Sequence, residues 1–212
     1  MSTQNVVPLA ESVLGPHSHV CVFYNSQEEE YRVLLPFIKQ GFEKGDKTFH
    51  IIDERNRPEH LRRLQEAGIE ESGGESEGRV EVQGWADAHL RPGWFDQHAM
   101  LALAEEVLSK AKRQGFPYTR WVANMGWALE EVRGNDDLVE YCARLNAVVQ
   151  KYEVTIVCSY DCAKFSGRAI VDVLRCHPLA IIGGLAQVNP YFVPPEALLQ
   201  ELQQSKHHVA AA

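Results

Sequence analysis

The chain has no run of more than two adjacent Lys or Arg residues, no apolar stretch long enough to cross a bilayer and no Cys-x-x-Cys pair. Nucleic-acid binding rests on concentrated positive charge, and this 212-residue sequence carries a formal net charge of -8, so a nucleic-acid partner is not expected. The apolar runs fall short of a membrane span, and no membrane partner is expected. Met1 to Pro8 lacks the basic flank and apolar core of a secretion signal, which makes a cytoplasmic setting the expectation. Cysteine comes to five, an odd number: Cys21, Cys142, Cys158, Cys162 and Cys176. Free thiols fit that count better than a disulfide framework.

A further absence lies in the first strand–loop–helix unit. Where this layout binds nucleotide, a glycine-rich loop and a lysine hold the phosphates at a helix N-terminus. Here the connecting segment is Tyr24-Asn25-Ser26-Gln27-Glu28-Glu29-Glu30, without glycine or lysine. Its three glutamates already complement the helix dipole and would oppose a triphosphate. Magnesium-dependent ATP binding through this loop is therefore excluded as an expectation.

What is present reads as alternating strands and helices. HVCVFY (His19 to Tyr24), TFHII (Thr48 to Ile52), Arg79 to Gln83, RWVANM (Arg120 to Met125), VTIVC (Val154 to Cys158) and Leu179 to Ile182 are apolar, strand-like runs. Helices are predicted over Gln27 to Lys44, Pro58 to Gly68, Asp96 to Gln114, Asp136 to Lys151, Gly167 to Arg175 and Glu196 to Ser205. Ser26 with Glu29 forms a capping box, and Pro36 is expected to kink the first helix or mark a short first segment. Glu70 to Gly78 reads as a mobile loop. The spacing predicts an α/β fold with a mainly parallel sheet flanked by helices. Residues 17–205 make a single domain, between a flexible segment over 1–16 and a frayed tail over 206–212.

Open parallel sheets bind ligands at the carboxyl ends of their strands. Those ends supply Tyr24 and Asn25, Asp53, Trp85, Trp127, Cys158, Tyr160 and Asp161. Aromatics with a few polar groups are how small-molecule pockets are lined, although large aromatics also roof sheets as plain core. Asp53 and Asp161 are weighed as acid/base groups against the commoner role of helix or turn caps. Neither has a third partner in the sequence, so no catalytic residue is expected. Cys158, Cys162, Cys176 and His177 are considered as a Cys₃His set, but Cys-x-x-x-Cys spacing is poor for a metal. No metal or cofactor is expected. A redox-reactive Cys158 or Cys162 is the alternative use of the thiols. His19 and His50 read as core or edge residues, and His177-Pro178 as a helix end.

These segments resemble the MEDS family, a sensory domain of methanogens and methylotrophs found in a dichloromethane-responsive repressor and fused to signalling kinases. The resemblance rests on HVCVFY, on KGDKTFHIID ending at Asp53, on ANMGWAL around Trp127, on CSYDCAKFSG from Cys158, on His177-Pro178 and on NPYFVPP at Asn189 to Pro195. It implies a RecA/KaiC-like three-layer architecture with a degenerate phosphate loop, and sensing of small hydrocarbon derivatives. His19, Tyr24, Trp127, Cys158, Tyr160, Asp161 and His177 fall on its pattern. The function expected is a non-catalytic ligand-binding domain that signals through a separate partner protein or through homo-oligomerisation. Movement is expected in the Glu70–Gly78 loop and the Leu90–Trp94 turn. Two alternatives stand beside it: a ligand-independent interaction module for a kinase or sigma-factor regulator, and a cysteine-dependent enzyme or redox sensor.

Overall fold

The computed structural model describes residues 7–9, 12–15, 17–70 and 78–210. Among them, β1 (Val7–Leu9) and β2 (Ser12–Leu14) pair antiparallel. Part of the stretch expected to be flexible is thus a two-stranded ribbon, whose Leu9 is buried in the core. The expected mobile loop falls almost wholly outside the described residues.

The main sheet is built from β3 (His17–Tyr24), β4 (Lys47–Ile52), β5 (Val80–Gly84), β6 (Thr119–Asn124), β7 (Val154–Asp161), β8 (Leu179–Ile182) and β9 (Leu185–Val188). Their spatial order is β5-β4-β6-β7-β3-β8-β9. Every pairing is parallel except β8 with β9. The central strands are apolar on both faces because helices cover both. On one side, α1 (Gln27–Lys44) and α2 (Arg57–Glu66) enclose Val20, Val22, Ile52, Val122, Val157 and their neighbours. On the other, α3 (Gln97–Arg113), α4 (Leu138–Val149), α5 (Gly167–Cys176) and α6 (Pro195–Ala210) cover Cys21, Phe23, Trp121, Cys158 and Tyr160. The outcome is the mainly parallel α/β sheet that the alternating pattern predicts, in the three-layer form that the resemblance implies.

Local chemistry sets the boundaries. Ser26 Oγ accepts from the Glu29 amide at 3.2 Å, while the Glu29 carboxylate accepts from the Asn25 amide at 2.9 Å. The two ends of this capping box tie the turn that replaces a phosphate loop. Gly45 closes α1 with φ 80°, the left-handed conformation that suits glycine. Pro36 lies on the exposed face inside α1, which continues past it to Lys44. α6 continues to Ala210, beyond the point where fraying is expected.

At the amino ends of the strands, buried charge is paired. Arg120 Nε donates to Asp46 Oδ2 at 2.9 Å, its Nη1 to the Phe37 carbonyl at 2.6 Å and its Nη2 to Gln40 at 3.0 Å. The guanidinium crosses directly over Gly41, where an added Cβ would sit 2.2 Å from Arg120 Cδ. Lys47 Nζ donates to Glu81 at 2.9 Å and to the Gly78 carbonyl at 2.7 Å. These contacts clamp β4, β5, β6 and α1 at the base of the sheet.

Candidate functional site

At the opposite, carboxyl ends of β3, β4, β6 and β7 lies an open cleft of about 470 Å³. Its walls include Tyr24, Glu30, Asp53, Trp85, Asn124 and Asp161, with Arg55, Glu130 and Lys164 at the rim. Beneath it, between the sheet and α1 and α2, sits a small chamber of about 30 Å³. The chamber shares Gln27, Glu30, Asp53, Asn56 and Asn124 with the cleft and is otherwise lined by Tyr31, Leu34, Ile38, Ile52, His60 and Val122.

Asn124, the last residue of β6, organises the floor. Its Oδ1 accepts from the Gly126 amide at 3.0 Å, and its Nδ2 donates to Tyr24 Oη and to Glu30 Oε1, both at 3.1 Å. Glu30 Oε1 also accepts from Ser159 Oγ at 2.5 Å. Burial pushes the Glu30 carboxyl above its usual range, against the pull of the Ser159 and Asn124 donors. Burial and the neighbouring Glu30 likewise raise the Tyr24 phenol. Burial also raises Asp53, but donation from the Arg55 guanidinium and amide outweighs it and holds the carboxyl below its ordinary value. Asp161 pairs with Lys164 at 3.1 Å.

Trp85 forms one wall, its indole N–H donating to the Asn124 carbonyl at 3.0 Å. Gly126 makes room for that ring, since a Cβ there would lie 2.9 Å from it. Behind the chamber a polar chain runs from Tyr31 Oη to His60 Nδ1 at 2.8 Å, and from His60 Nε2 to His50 Nδ1 at 2.9 Å. Burial lowers His60 to about 4 and lowers His50 well below the ordinary value.

Of the residues expected at the strand ends, Tyr24, Asp53, Trp85 and Asp161 line the cleft. Asn25 is exposed, with its side-chain amide turned to Glu29 in the helix cap. Trp127, Cys158 and Tyr160 lie in the core instead. Trp127 is fully buried, stacked on Phe95 at 4.4 Å and on His89 at 5.0 Å. Cys158 does not end its strand: β7 continues to Asp161, and alternation turns Cys158 and Tyr160 toward α4 while Ser159 faces Glu30.

The Cys₃His combination is not what the fold assembles. Among the described residues, His19, Cys158 and His177 bring their donor atoms together within 4.8 Å. Cys162 sits at the surface end of the sheet, its amide donating to the Tyr24 carbonyl at 2.8 Å. Burial raises the thiols of Cys21, Cys158, Cys162 and Cys176. That is the reverse of the lowered value a reactive thiolate needs.

Asn124 and Glu30 escape the sequence reading. Glu30 stands in a run of three glutamates read only for the helix dipole, and Asn124 lies inside ANMGWAL, a segment read for Trp127 alone. What marks the pair is position, at a strand end and in the first turn of the helix across from it.

A parallel sheet between helical layers, with a carboxyl-end cleft and no phosphate loop, defines a RecA/KaiC-like frame stripped of its nucleotide-binding loop. The fold matches that of a KaiC-like protein from the hyperthermophilic archaeon Pyrococcus horikoshii OT3, with a TM-score of 0.57 at 15% identity, covering 79% of this chain and 71% of that one. The sequence pattern of the family "MEDS: MEthanogen/methylotroph, DcmR Sensory domain" matches residues 18–178, and the chain belongs to that family. It is 24% identical over 163 residues to the transcriptional repressor DcmR of Methylorubrum extorquens, covering 76% of this chain. The match spans 58% of the repressor's length. No helix among the described residues is long and apolar enough to cross a membrane.

Proposed function

We propose that the chain is a non-catalytic sensor whose ligand is a short-chain hydrocarbon derivative carrying a hydroxyl or amino group, and that its bound state is read by a separate protein. The observation that carries this reading is a pair of unlike spaces, a polar cleft and a small chamber beneath it, that share five lining residues. The chamber offers Leu34, Ile38, Ile52 and Val122 to a one- or two-carbon end. The Asn124–Glu30–Tyr24 group offers hydrogen bonds to a polar head. An unfunctionalised hydrocarbon would cover these polar groups without replacing their water, which is costly. Carboxylates at Glu30, Asp53, Glu130 and Asp161 against cations at Arg55 and Lys164 disfavour phosphate. A ligand changes signalling only through different affinity for two states, and the rim residues Arg55, Glu130 and Lys164 come from separate connections that such a ligand would draw together.

The test is a thermal-shift and calorimetric screen of C1–C4 alcohols and amines, with Mg-ATP as the negative arm. A ligand at a hundred times its Kd adds about 2.7 kcal/mol of stability. Asn124→Ala and the chamber-filling Leu34→Trp should each abolish that gain while the unliganded protein still melts cooperatively. Stabilisation that survives both changes, or a response to Mg-ATP alone, sinks the reading.

The second reading, a docking module that needs no ligand, draws on the sheet edge at β9. There Leu185, Val188 and Tyr191 are 64%, 79% and 67% exposed. Capture of a host protein that is lost in a Leu185→Lys/Val188→Lys variant, with an empty cleft in native mass spectrometry, would favour it.

A further inference from the structure

The interior holds a second constellation, on the opposite face of β3 and β7 from the Glu30 network. His19, Cys158 and His177 are 1%, 2% and 0% exposed. His19 Nε2 lies 3.7 Å from Cys158 Sγ, and the two imidazole centroids are 4.1 Å apart. Two nitrogens and a sulfur bound to one ion at about 2.0 and 2.3 Å sit roughly 3.5 Å from one another. The His19–Cys158 pair already has that separation, and the widest of the three is within 4.8 Å.

The outward nitrogens are committed elsewhere, which fixes the inward ones. Asn146 Nδ2 donates to the Cys142, Ala143 and Cys176 carbonyls at 3.0, 3.3 and 3.0 Å, so its oxygen faces His19. His19 Nδ1–H donates to that oxygen at 3.3 Å, leaving Nε2 as a lone pair aimed at Cys158. His177 Nδ1–H donates to the Val173 carbonyl at 2.8 Å. Its Nε2 is a buried lone pair without a partner. A ring held by its second nitrogen, with the other lone pair turned into a shared space beside a thiol, is how proteins prepare metal ligands. Left without an ion or other partner, such a buried acceptor destabilises the fold.

We propose that His19, Cys158 and His177 form a buried three-ligand site for a soft d10 metal ion, monovalent copper in preference to zinc. Binding replaces the Cys158 S–H bond by a metal–sulfur bond, and the proton leaves to solvent. The set supplies one negative charge and no carboxylate. Monovalent copper is thereby neutralised, whereas zinc leaves a net positive charge in the interior, which is expensive. Thiolate and imidazole together suit both ions chemically. The bound ion would tie β3, β7 and the α5–β8 junction at one point, a few residues below the cleft.

The experiment titrates the reduced full chain with Cu(I) against bicinchoninate, and separately with Zn(II) against a chelating dye. The expected result is one tightly held Cu(I), with weaker retention of zinc. X-ray absorption of the copper-loaded wild type should read one sulfur and two imidazole nitrogens. Cys158→Ser and His177→Ala should each weaken binding by about 100-fold or more, Asn146→Ala by roughly 10- to 100-fold, and Cys162→Ser not at all. If a variant does not fold, the wild-type absorption spectrum still decides. Failure to hold one equivalent against the competitor, a sulfur-only shell, or undiminished binding in folded Cys158→Ser overturns the site. Zinc held more tightly than copper overturns the preference.

Discussion

The two ends of the sheet treat buried charge in opposite ways. At the amino end, Arg120 is matched by Asp46, and Lys47 by Glu81, with further acceptors completing their shells. At the carboxyl end, Glu30 shares one oxygen with Ser159 and Asn124, and no cation appears among its hydrogen-bond partners. Burial is common to both ends, but Glu30 has no hydrogen-bonded cation of the kind that Asp46 has in Arg120, Glu81 in Lys47 and Asp53 in Arg55. The difference separates scaffold from site: permanent, satisfied charge fixes the base, and adjustable groups collect where a ligand can enter.

The harshest test of that division is Asp46→Ala, which leaves a guanidinium buried without its counter-ion. Breaking a buried pair costs about 3–5 kcal/mol, and urea denaturation should show a loss of that size. A loss below about 1 kcal/mol would mean that the base is not a clamp. Next comes acid. His60 and His89 belong to the carboxyl half, and burial lowers them to about 4 and about 3. The unfolded chain takes up their protons near pH 6.5, so their share of stability is present above that pH and lost as pH falls toward the folded values. The loss is about 1.4 kcal/mol per pH unit for each ring. His89→Phe should flatten the pH slope by one ring's share. Hydrogen exchange at pH 5 should loosen residues 85–90 and 126–129 before the amides of β6 near Arg120.

Glu30→Gln probes the carboxyl end with the opposite sign. Because the folded carboxyl is raised above 4.5, its stabilising share is full below that pH and declines as pH rises through the folded value. The variant should overtake the wild type as pH increases, read as a rising difference in denaturation midpoint. Equal pH profiles would show that Glu30 is already compensated. The smallest effect is expected from Tyr160→Phe. The Tyr160 hydroxyl is buried without a partner, so its removal should leave stability within about 0.5 kcal/mol or raise it slightly. It should also leave ligand binding at the cleft unchanged. Loss of binding would return Tyr160 to the site.

Most of the frame is legible in the sequence because the central strands carry nearly continuous apolar runs, and the capping box at Ser26 announces its helix. The edges are not. β9 reads Leu-Ala-Gln-Val with mostly exposed side chains, and only its hairpin partner β8 makes it a strand. At the site, four of the eight expected ligand-binding positions line the cleft because strand ends are predictable where a strand stops. For two of the other four, the reason is one boundary. Ending β7 at Cys158 leaves Tyr160 beyond the strand, whereas three more residues of strand turn Cys158 and Tyr160 to the face opposite Ser159. The His19–Cys158–His177 group is only half legible: Cys158 and His177 stand in the Cys₃His set weighed from the sequence, but His19 does not. Its members are far apart in sequence, and only the β3–β7 and β3–β8 pairings bring their segments side by side.

The Tyr31–His60–His50 chain has two hydrogen-bonding directions. If Tyr31 donates inward, His60 passes a proton-bearing Nε2 to His50; if His50 donates outward, both bonds reverse together. Tyr31 and His60 line the chamber, while His50 lies on β4 behind it. A guest that satisfies the Tyr31 hydroxyl therefore selects one tautomer two residues away. The imidazole nitrogen shifts of His50 become a built-in nuclear magnetic resonance reporter of what the chamber holds, with no label placed in the cleft.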